Sequence, residues 1–371
     1  MTAPDYRNSI LSISNSILKY YGATPFHETL SVLDEKLKKK YRNVILLVMD
    51  GMGSHVLESN LPADSFFRRN TVATLSSVFP TTTVAALTSI QSGLAPNEHG
   101  WLGWSCYFKE IDQCVDLFSN NISGVSGGVR GAEEHFANKY MGFETILSKI
   151  SRANNNMLQT YEVWPFANSF ADTFDKICGG IRSLCQKDGD KFIYAYHFQP
   201  DHDLHDFGVK NDHISSMLRD FDGAAERLCA ELENTLLIVT ADHGHIDMIR
   251  RPIEDYPVIH QCLRRGITLE SRCCGFFIKD EYMDIFPDLF KAEFRDKFVL
   301  YTHDAFLNSG LLGGGRRHEK TDDFVGDYVA VAVSGLALWN RDDRGAFDEY
   351  RSSHAGLTTE ELGVPLILIE T

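Results

Sequence analysis

The chain has no uninterrupted apolar stretch of about 18 residues, so no membrane span is expected. Met1 to Tyr20 lacks a basic start followed by an apolar core, and no secretory leader is expected there. The eight cysteines include no Cys-x-x-Cys pair; Cys273 and Cys274 are adjacent and the rest are scattered. Without an export signal, reduced thiols in a cytoplasmic protein are the expectation, and a zinc–cysteine site is disfavoured. Positive charge is also short: 36 Lys and Arg face 51 Asp and Glu, a net charge of −15. Binders of a nucleic-acid polymer normally carry a basic face, so that class of partner is not expected. The acidity serves solubility, and a small phosphate ester is still allowed as substrate because bound cations can reverse the local field. Gly313-Gly314-Gly315 has no helix and lysine after it at P-loop spacing, which leaves a loop. Internal repeats and low-complexity tracts are missing as well, and oligomeric state is left open.

What is present is a chain of 371 residues, 43% hydrophobic and 23% charged, ample for a large core. One α/β domain with a smaller insert fits this length better than three domains. Residues 9–40 predict two helices broken at Tyr21-Gly22-Ala23-Thr24-Pro25, the second running from about Glu28 to Lys40. Apolar runs at Val44–Met49, Phe192–Phe198, Leu236–Ala241 and Val364–Ile369 read as buried strands, the last one returning. Thr71 to Phe79 is β-branched. Thr83 to Ser92 turns helical and stops at Gly93-Leu94-Ala95-Pro96. Asp212 to Glu233 reads as a long helix and 120–131 as a Gly- and Ser-rich loop. Alternating strands and helices imply an α/β fold with a mainly parallel central sheet, helices on both faces and a small α+β insert. The expected division is an N-terminal helical extension (1–40), a metal-binding catalytic core (41–250 and 340–371) and an insert or cap (251–339). Within the insert, Cys274–Ile278 and Val329–Leu338 predict strands, and Asp284–Phe298 has helical spacing.

Ligands in open α/β sheets sit just past the carboxyl ends of the strands. Asp50, the pair Asp201 and His205, the pair Asp242 and His243, and His354 all fall at strand ends or in loops. Asp201 and His205 are spaced i, i+4, which puts both on one face of a helical turn. Three carboxylates and three imidazoles suit two zinc-like ions. Thr81-Thr82-Thr83 precedes a helix, where threonine ordinarily caps. Beside two cations, a threonine hydroxyl becomes a candidate nucleophile, and the helix start offers N–H groups to a phosphate oxygen.

The ordered set Asp50-Gly51, Phe-Pro-Thr-Thr-Thr (79–83), Gly-Leu-Ala-Pro-Asn-Glu-His-Gly (93–100), Pro-Asp-x-x-x-His-x-x-Gly (200–208), Asp-His-Gly (242–244) and His-Ala-Gly (354–356) resembles the alkaline phosphatase superfamily. Within it the pattern looks like the type I phosphodiesterase/nucleotide pyrophosphatase group. The resemblance implies Thr83 as nucleophile, three positions after the proline. It implies one metal held by Asp201, His205 and His354. The other is held by Asp50, Asp242 and His243, with Thr83 bridging toward it. The implied cofactors are two divalent ions, Zn2+ first and Mn2+ second. The implied reaction is hydrolysis of a phosphodiester or pyrophosphate through a phospho-threonine, completed by an activated water. A phosphomonoesterase or phosphonate hydrolase is the alternative within the superfamily, and the site residues alone leave a phosphomutase open. Sulfatases need a cysteine or serine to make formylglycine, which Thr83 cannot supply. A non-catalytic metal binder is disfavoured, since ligands and nucleophile are both present.

One position departs from that pattern. Nucleotide pyrophosphatases have an asparagine five residues after the His-Gly histidine, whereas here Trp104 follows His99 at that distance. Trp104 becomes a candidate substrate contact, by its indole N–H or its aromatic face, with packing beside Trp101 as the plain alternative. His245 is assigned to the substrate side or to the support of the metal ligands. His202 and Asp203, between two ligands, are candidates to line the site. Arg316, Arg317, His318 and Lys320 form a basic cluster that is either solvated or turned toward substrate phosphate.

Overall fold

The computed structural model describes residues 2–165 and 172–371. Its centre is a six-stranded sheet in the order Thr71–Ser76, Gly363–Glu370, Thr235–Thr240, Asn43–Met49, Lys191–His197, Gln159–Val163. Asn43–Met49 pairs in parallel with Thr235–Thr240 and with Lys191–His197, and Gln159–Val163 extends that parallel set. Gly363–Glu370 runs antiparallel to both of its neighbours, as expected of a returning strand. The three central strands are buried along their whole length. Both faces of the sheet are therefore covered, which is why these strands read as unbroken apolar runs.

The helix Thr83–Ser92 spans the residues its pattern predicts and ends at Gly93 with φ 74°, the left-handed conformation glycine adopts without strain. The helix Ile10–Tyr20 is buried over most of its length and packs against Thr83–Ser92. Thus the first 40 residues contribute to the core rather than merely preceding it. The second N-terminal helix is shorter than expected, Ser31–Lys36. The lysine run that follows stays exposed, while Leu37 and Tyr41 are buried, so the chain turns inward there.

A second, antiparallel sheet has seven strands: Phe298–Thr302, Tyr328–Ala332, Cys273–Phe276, Thr268–Leu269, Ser105–Phe108, Gln113–Asp116 and Asn121–Ile122. Four come from 251–339. The other three come from the stretch after Trp104, which the sequence reading left in the core, and part of 120–131 pairs where only loop was expected. Two runs also break. Asp284–Phe298 becomes the helix Phe286–Phe294, and Phe298 opens a strand. Val329–Leu338 divides into Tyr328–Ala332, in the second sheet, and Leu336–Trp339, which pairs in parallel with Ile249–Pro252.

Arg272 sits at that break. Its Nη1 donates to the carbonyls of Ser334 and Leu336, at 2.7 and 3.0 Å. Its Nε and Nη2 donate to the two oxygens of Glu361, at 2.6 and 2.8 Å. Both side chains are fully buried. Glu361 also accepts from the N–H groups of Gly356 and Thr358, at 2.7 and 3.2 Å. One ion pair thus fastens the second sheet to the loop carrying His354. A Cβ on Gly356 would lie 2.7 Å from Glu361 Oε2 and 2.9 Å from Arg272 Nη2, so the loop needs glycine there. Removing one partner of such a pair leaves a buried charge uncompensated, at a cost of about 3–5 kcal/mol. We expect Arg272→Met to lose that much in urea unfolding. A change below about 1 kcal/mol would show that the pair is not the fastening it resembles.

Candidate active site

Asp50, Asp201 and Asp242 emerge where the three central parallel strands end. The strands are in register, Met49 opposite His197 and Val48 opposite Thr240, so the carboxylates converge. Backbone bonds hold the convergence: the Asp50 N–H donates to His197 O at 2.9 Å, and the Asp201 N–H to Asp50 O at 3.0 Å. Gly51 has φ 69°, and a Cβ on it would fall 2.9 Å from Asp201 Cα. Glycine after Asp50 is therefore a condition for the two strand ends to meet.

Asp242 Oδ1 accepts from the N–H groups of Gly51 and His243, both at 3.0 Å. Its Oδ2 is buried without a hydrogen-bond partner. Tyr196 donates its hydroxyl to Asp50 Oδ2. Burial first, then the charges of Asp242 and Asp201, push the Asp50 carboxyl well above its usual range. Burial likewise raises Asp242. Burial works in the same direction on Asp201, but His205, His245 and His354 outweigh it and hold that carboxyl low. A crowd of buried carboxylates with an orphaned oxygen is a poor structural solution and a good cation site.

The histidines complete it. Among the described residues, two groups have donor atoms close enough to share an ion: Asp50, Asp242 and His243, and Asp201, His243, His245 and His354. His205 stands slightly apart, its Nε2 3.6 Å from Asp201 Oδ2. His243 Nε2 lies 3.4 Å from both Asp50 Oδ1 and Asp242 Oδ2. His354 Nε2 lies 3.7 Å from Asp201 Oδ1. In each of these three rings Nδ1 faces a backbone carbonyl: Ser352 O for His205 at 2.9 Å, Gly244 O for His243 at 3.2 Å and Thr81 O for His354 at 3.0 Å. A proton fixed on Nδ1 leaves the Nε2 lone pair for a metal. Burial, followed by the neighbouring His243, holds the His354 pKa well below its ordinary value, so the ring stays in the neutral form a metal requires.

The three threonines separate cleanly. Thr81 Oγ1 donates to Gly356 O and accepts from the Ala355 N–H, both at 3.0 Å, bracing the His354 loop. Thr82 Oγ1 donates to Glu270 Oε1 at 2.6 Å and caps nothing. Thr83, the first residue of its helix, points its Oγ1 at His243 Nε2 (3.1 Å) and Asp50 Oδ1 (3.5 Å).

A cavity of about 1060 Å³ opens over these groups. Its walls include Trp104, Phe118, Trp164, Phe198 and Tyr350, together with Glu270 and Arg250. Trp104 is 43% exposed and lies edge-on to Phe118, whereas Trp101 is buried with its indole N–H on Met141 O at 2.9 Å. Of the two tryptophans, Trp104 is the one that lines the cavity. His202 also lines the cavity, but Asp203 turns away to Gln199 and His213. His245 is fully buried against Asp201 and is not part of the cavity wall, which removes it from the substrate side. Two members of the basic cluster are engaged elsewhere: Lys320 is buried with Glu110 and Asp323, and Arg317 faces Leu307 O and Asp322. His99 is structural. It accepts from the Trp101 N–H at 3.0 Å and faces Ser89 Oγ at 3.0 Å, and burial lowers its pKa to about 3.

Glu270 was missed by the sequence reading, since nothing around Leu269-Glu270-Ser271 marks it as functional. Its Oε1 takes both the Thr82 hydroxyl and the Trp104 N–H, at 2.6 and 2.7 Å, so it joins the nucleophile's helix to the loop where the tryptophan replaces asparagine. Tyr196 and Arg250 were missed for the same reason.

A sheet that gathers aspartates and histidines at its carboxyl edge, beside a helix begun by threonine, is the architecture of the alkaline phosphatase superfamily. The type I phosphodiesterase/nucleotide pyrophosphatase family model matches residues 44–281, and the chain belongs to that family. Murine ectonucleotide pyrophosphatase/phosphodiesterase 5 is similar in structure, with a TM-score of 0.65 and 19% identity over 88% of each chain. An inactive variant of it in complex with AMP gives 0.63 and 18%, covering 88% of this chain and 87% of that one. Phosphonoacetate hydrolase from Sinorhizobium meliloti 1021, in complex with phosphonoformate, gives 0.63 and 16%, covering 88% of this chain and 90% of that one. No curated protein sequence matches the chain significantly.

Two predictions follow the geometry. Asp242→Asn neutralises the residue shared between the strand end and His243, and elemental analysis should find at least one metal equivalent fewer. Retention of the full complement would refute Asp242 as a ligand. Burial raises Glu270 from the ordinary 4.5 to about 7. The folded state then binds a proton that the unfolded state has released, so stability from this group falls as pH rises from 4.5 to about 7 and is flat above. In metal-free protein, urea unfolding should show the wild type losing up to about 3 kcal/mol across that window relative to Glu270→Gln. Parallel pH profiles would contradict it.

Proposed function

We propose that the protein is a two-metal hydrolase of phosphodiester or pyrophosphate bonds that works through a phospho-threonine on Thr83. The observation that carries this reading is the position of Thr83 Oγ1. Thr81 Oγ1 is held by backbone groups and Thr82 Oγ1 by Glu270, whereas Thr83 Oγ1 aims at the carboxylate–histidine cluster. Asp50, Asp242 and His243, with Thr83, would hold one divalent ion. Asp201, His205 and His354 would hold the other. The mixed O and N donors suit Zn2+, with Mn2+ second. When bound, such ions acidify hydroxyl and water and stabilise the attacking and leaving oxygens.

The chain's own residues supply the rest. Thr83 starts a ten-residue helix, so backbone N–H groups and the positive end of the helix dipole face a phosphate oxygen placed there. Oγ1 forms a bond to phosphorus, its proton is released, and the leaving oxygen departs with its electron pair. Water then breaks the bond between phosphorus and Oγ1 and restores the hydroxyl. Tyr196 orients Asp50 through its hydroxyl, and Thr81 orients the His354 ring through its carbonyl. The wide cavity lined by Trp104, Phe118 and Phe198 gives a second ester substituent an apolar face to stack on. That favours a diester over a monoester.

With Zn2+ or Mn2+ added, we expect bis-p-nitrophenyl phosphate to be cleaved faster than p-nitrophenyl phosphate. Thr83→Ala should lower kcat by at least about a thousandfold. Acid quench of the wild type turning over the diester should yield a p-nitrophenyl phosphoryl group on Thr83 by mass spectrometry. Preference for the monoester would instead select a phosphomonoesterase built from the same residues. No turnover of either ester with both metals bound would overturn the hydrolase reading.

A further inference from the structure

A two-stranded ladder beside the site pairs Ile246–Asp247 with Ser352–Ser353. It delivers His245 just before one strand and His354 just after the other. Ser352, in the middle, touches two imidazoles. Its carbonyl oxygen faces His205 Nδ1 at 2.9 Å, and its hydroxyl faces His245 Nδ1 at 3.1 Å. The hydroxyl proton is already committed, because Ser352 Oγ donates to Leu204 O at 2.6 Å. A serine hydroxyl has one proton, so toward His245 it can only accept. His245 Nδ1 therefore carries a hydrogen, which leaves Nε2 as the ring atom that can take a metal. Nε2 lies 2.6 Å from Asp201 Oδ1. The ring offers a donor atom within 4.8 Å of those of Asp201, His243 and His354, close enough for one ion to be shared.

We propose that His245 is a fourth protein ligand, through Nε2, of the ion held by Asp201, His205 and His354. The assignment rests on the two-metal reading above. It explains why His245 repeats the arrangement of His205, His243 and His354, with Nδ1 anchored to the protein and Nε2 turned to the carboxylates. It also explains a fully buried histidine packed against the other three rings, 5.0 Å from His205, 5.1 Å from His354 and 5.6 Å from His243 between centroids.

The test is NMR of protein labelled with ¹⁵N-histidine and loaded with ¹¹³Cd, the ion count being set by native mass spectrometry. His245 signals are identified by their loss in His245→Gln. The proposal expects His245 ring protons to couple to ¹¹³Cd and Nε2 to carry no hydrogen. With both ions bound, an Nε2–H on His245 and no cadmium coupling would overturn it and leave the two-metal reading standing. Failure of the wild type to bind any ion would sink both. In chelator competition, His245→Gln should weaken one of the two Zn2+ ions at least about tenfold and spare the other. Thermal unfolding of the metal-free variant shows whether it folds. Should it not, the His245 signals are assigned in the wild type by their proximity to Ser352, and coupling there decides alone.

Discussion

Mutual repulsion among Asp50, Asp201 and Asp242 is the constraint around which the molecule is arranged. Parallel pairing in register forces three adjacent strand ends together, and each ends in a carboxylate. Among the described residues no lysine or arginine forms an ion pair with them; the groups that approach are imidazoles and hydroxyls. Paired charges are the usual way to bury an acid. Supplying neutral donors instead leaves a local negative excess that favours divalent cations. The same excess fits the overall charge of the chain, which is acidic although the family acts on phosphates.

Around this cluster, the second sheet acts as a brace. Arg272 and Glu361 tie it to the loop carrying His354, and Glu270 ties it to Thr82 and the Trp104 backbone. The ties to Thr82 and Gly356 reach chain neighbours of Thr83 and His354, and leave the Thr83 hydroxyl and His354 Nε2 turned to the carboxylate–histidine cluster.

The core strands could be read from sequence because burial on both faces leaves an unmistakable apolar run, and the acids at their tips stood out by contrast. Thr83, His205 and His354 were recognised from ordered motifs, which carry information that local pattern does not. The remaining features depend on contacts between distant segments. Glu270 is one carboxylate among many until the fold sets it on Thr82. The break within Val329–Leu338 falls where two carbonyls accept from Arg272, some sixty residues upstream in the chain. The strands after Trp104 join the second sheet through a single pairing of Ser105 with Leu269, which no periodicity announces. By sequence His245 reads as a support of the metal ligands or a substrate contact; a short ladder places its ring against Asp201.

The antiparallel strand Gly363–Glu370 lies between Thr71–Ser76 and Thr235–Thr240. During synthesis, Thr71–Ser76 leaves the ribosome long before the strand it will pair with exists. The three carboxylates and Thr83 are likewise made early, while His354 arrives just ahead of that last strand. The stretch from Ser352 to Glu370 thus carries both His354 and the strand that fills the gap between two sheet neighbours, so one short segment completes the candidate site and the sheet.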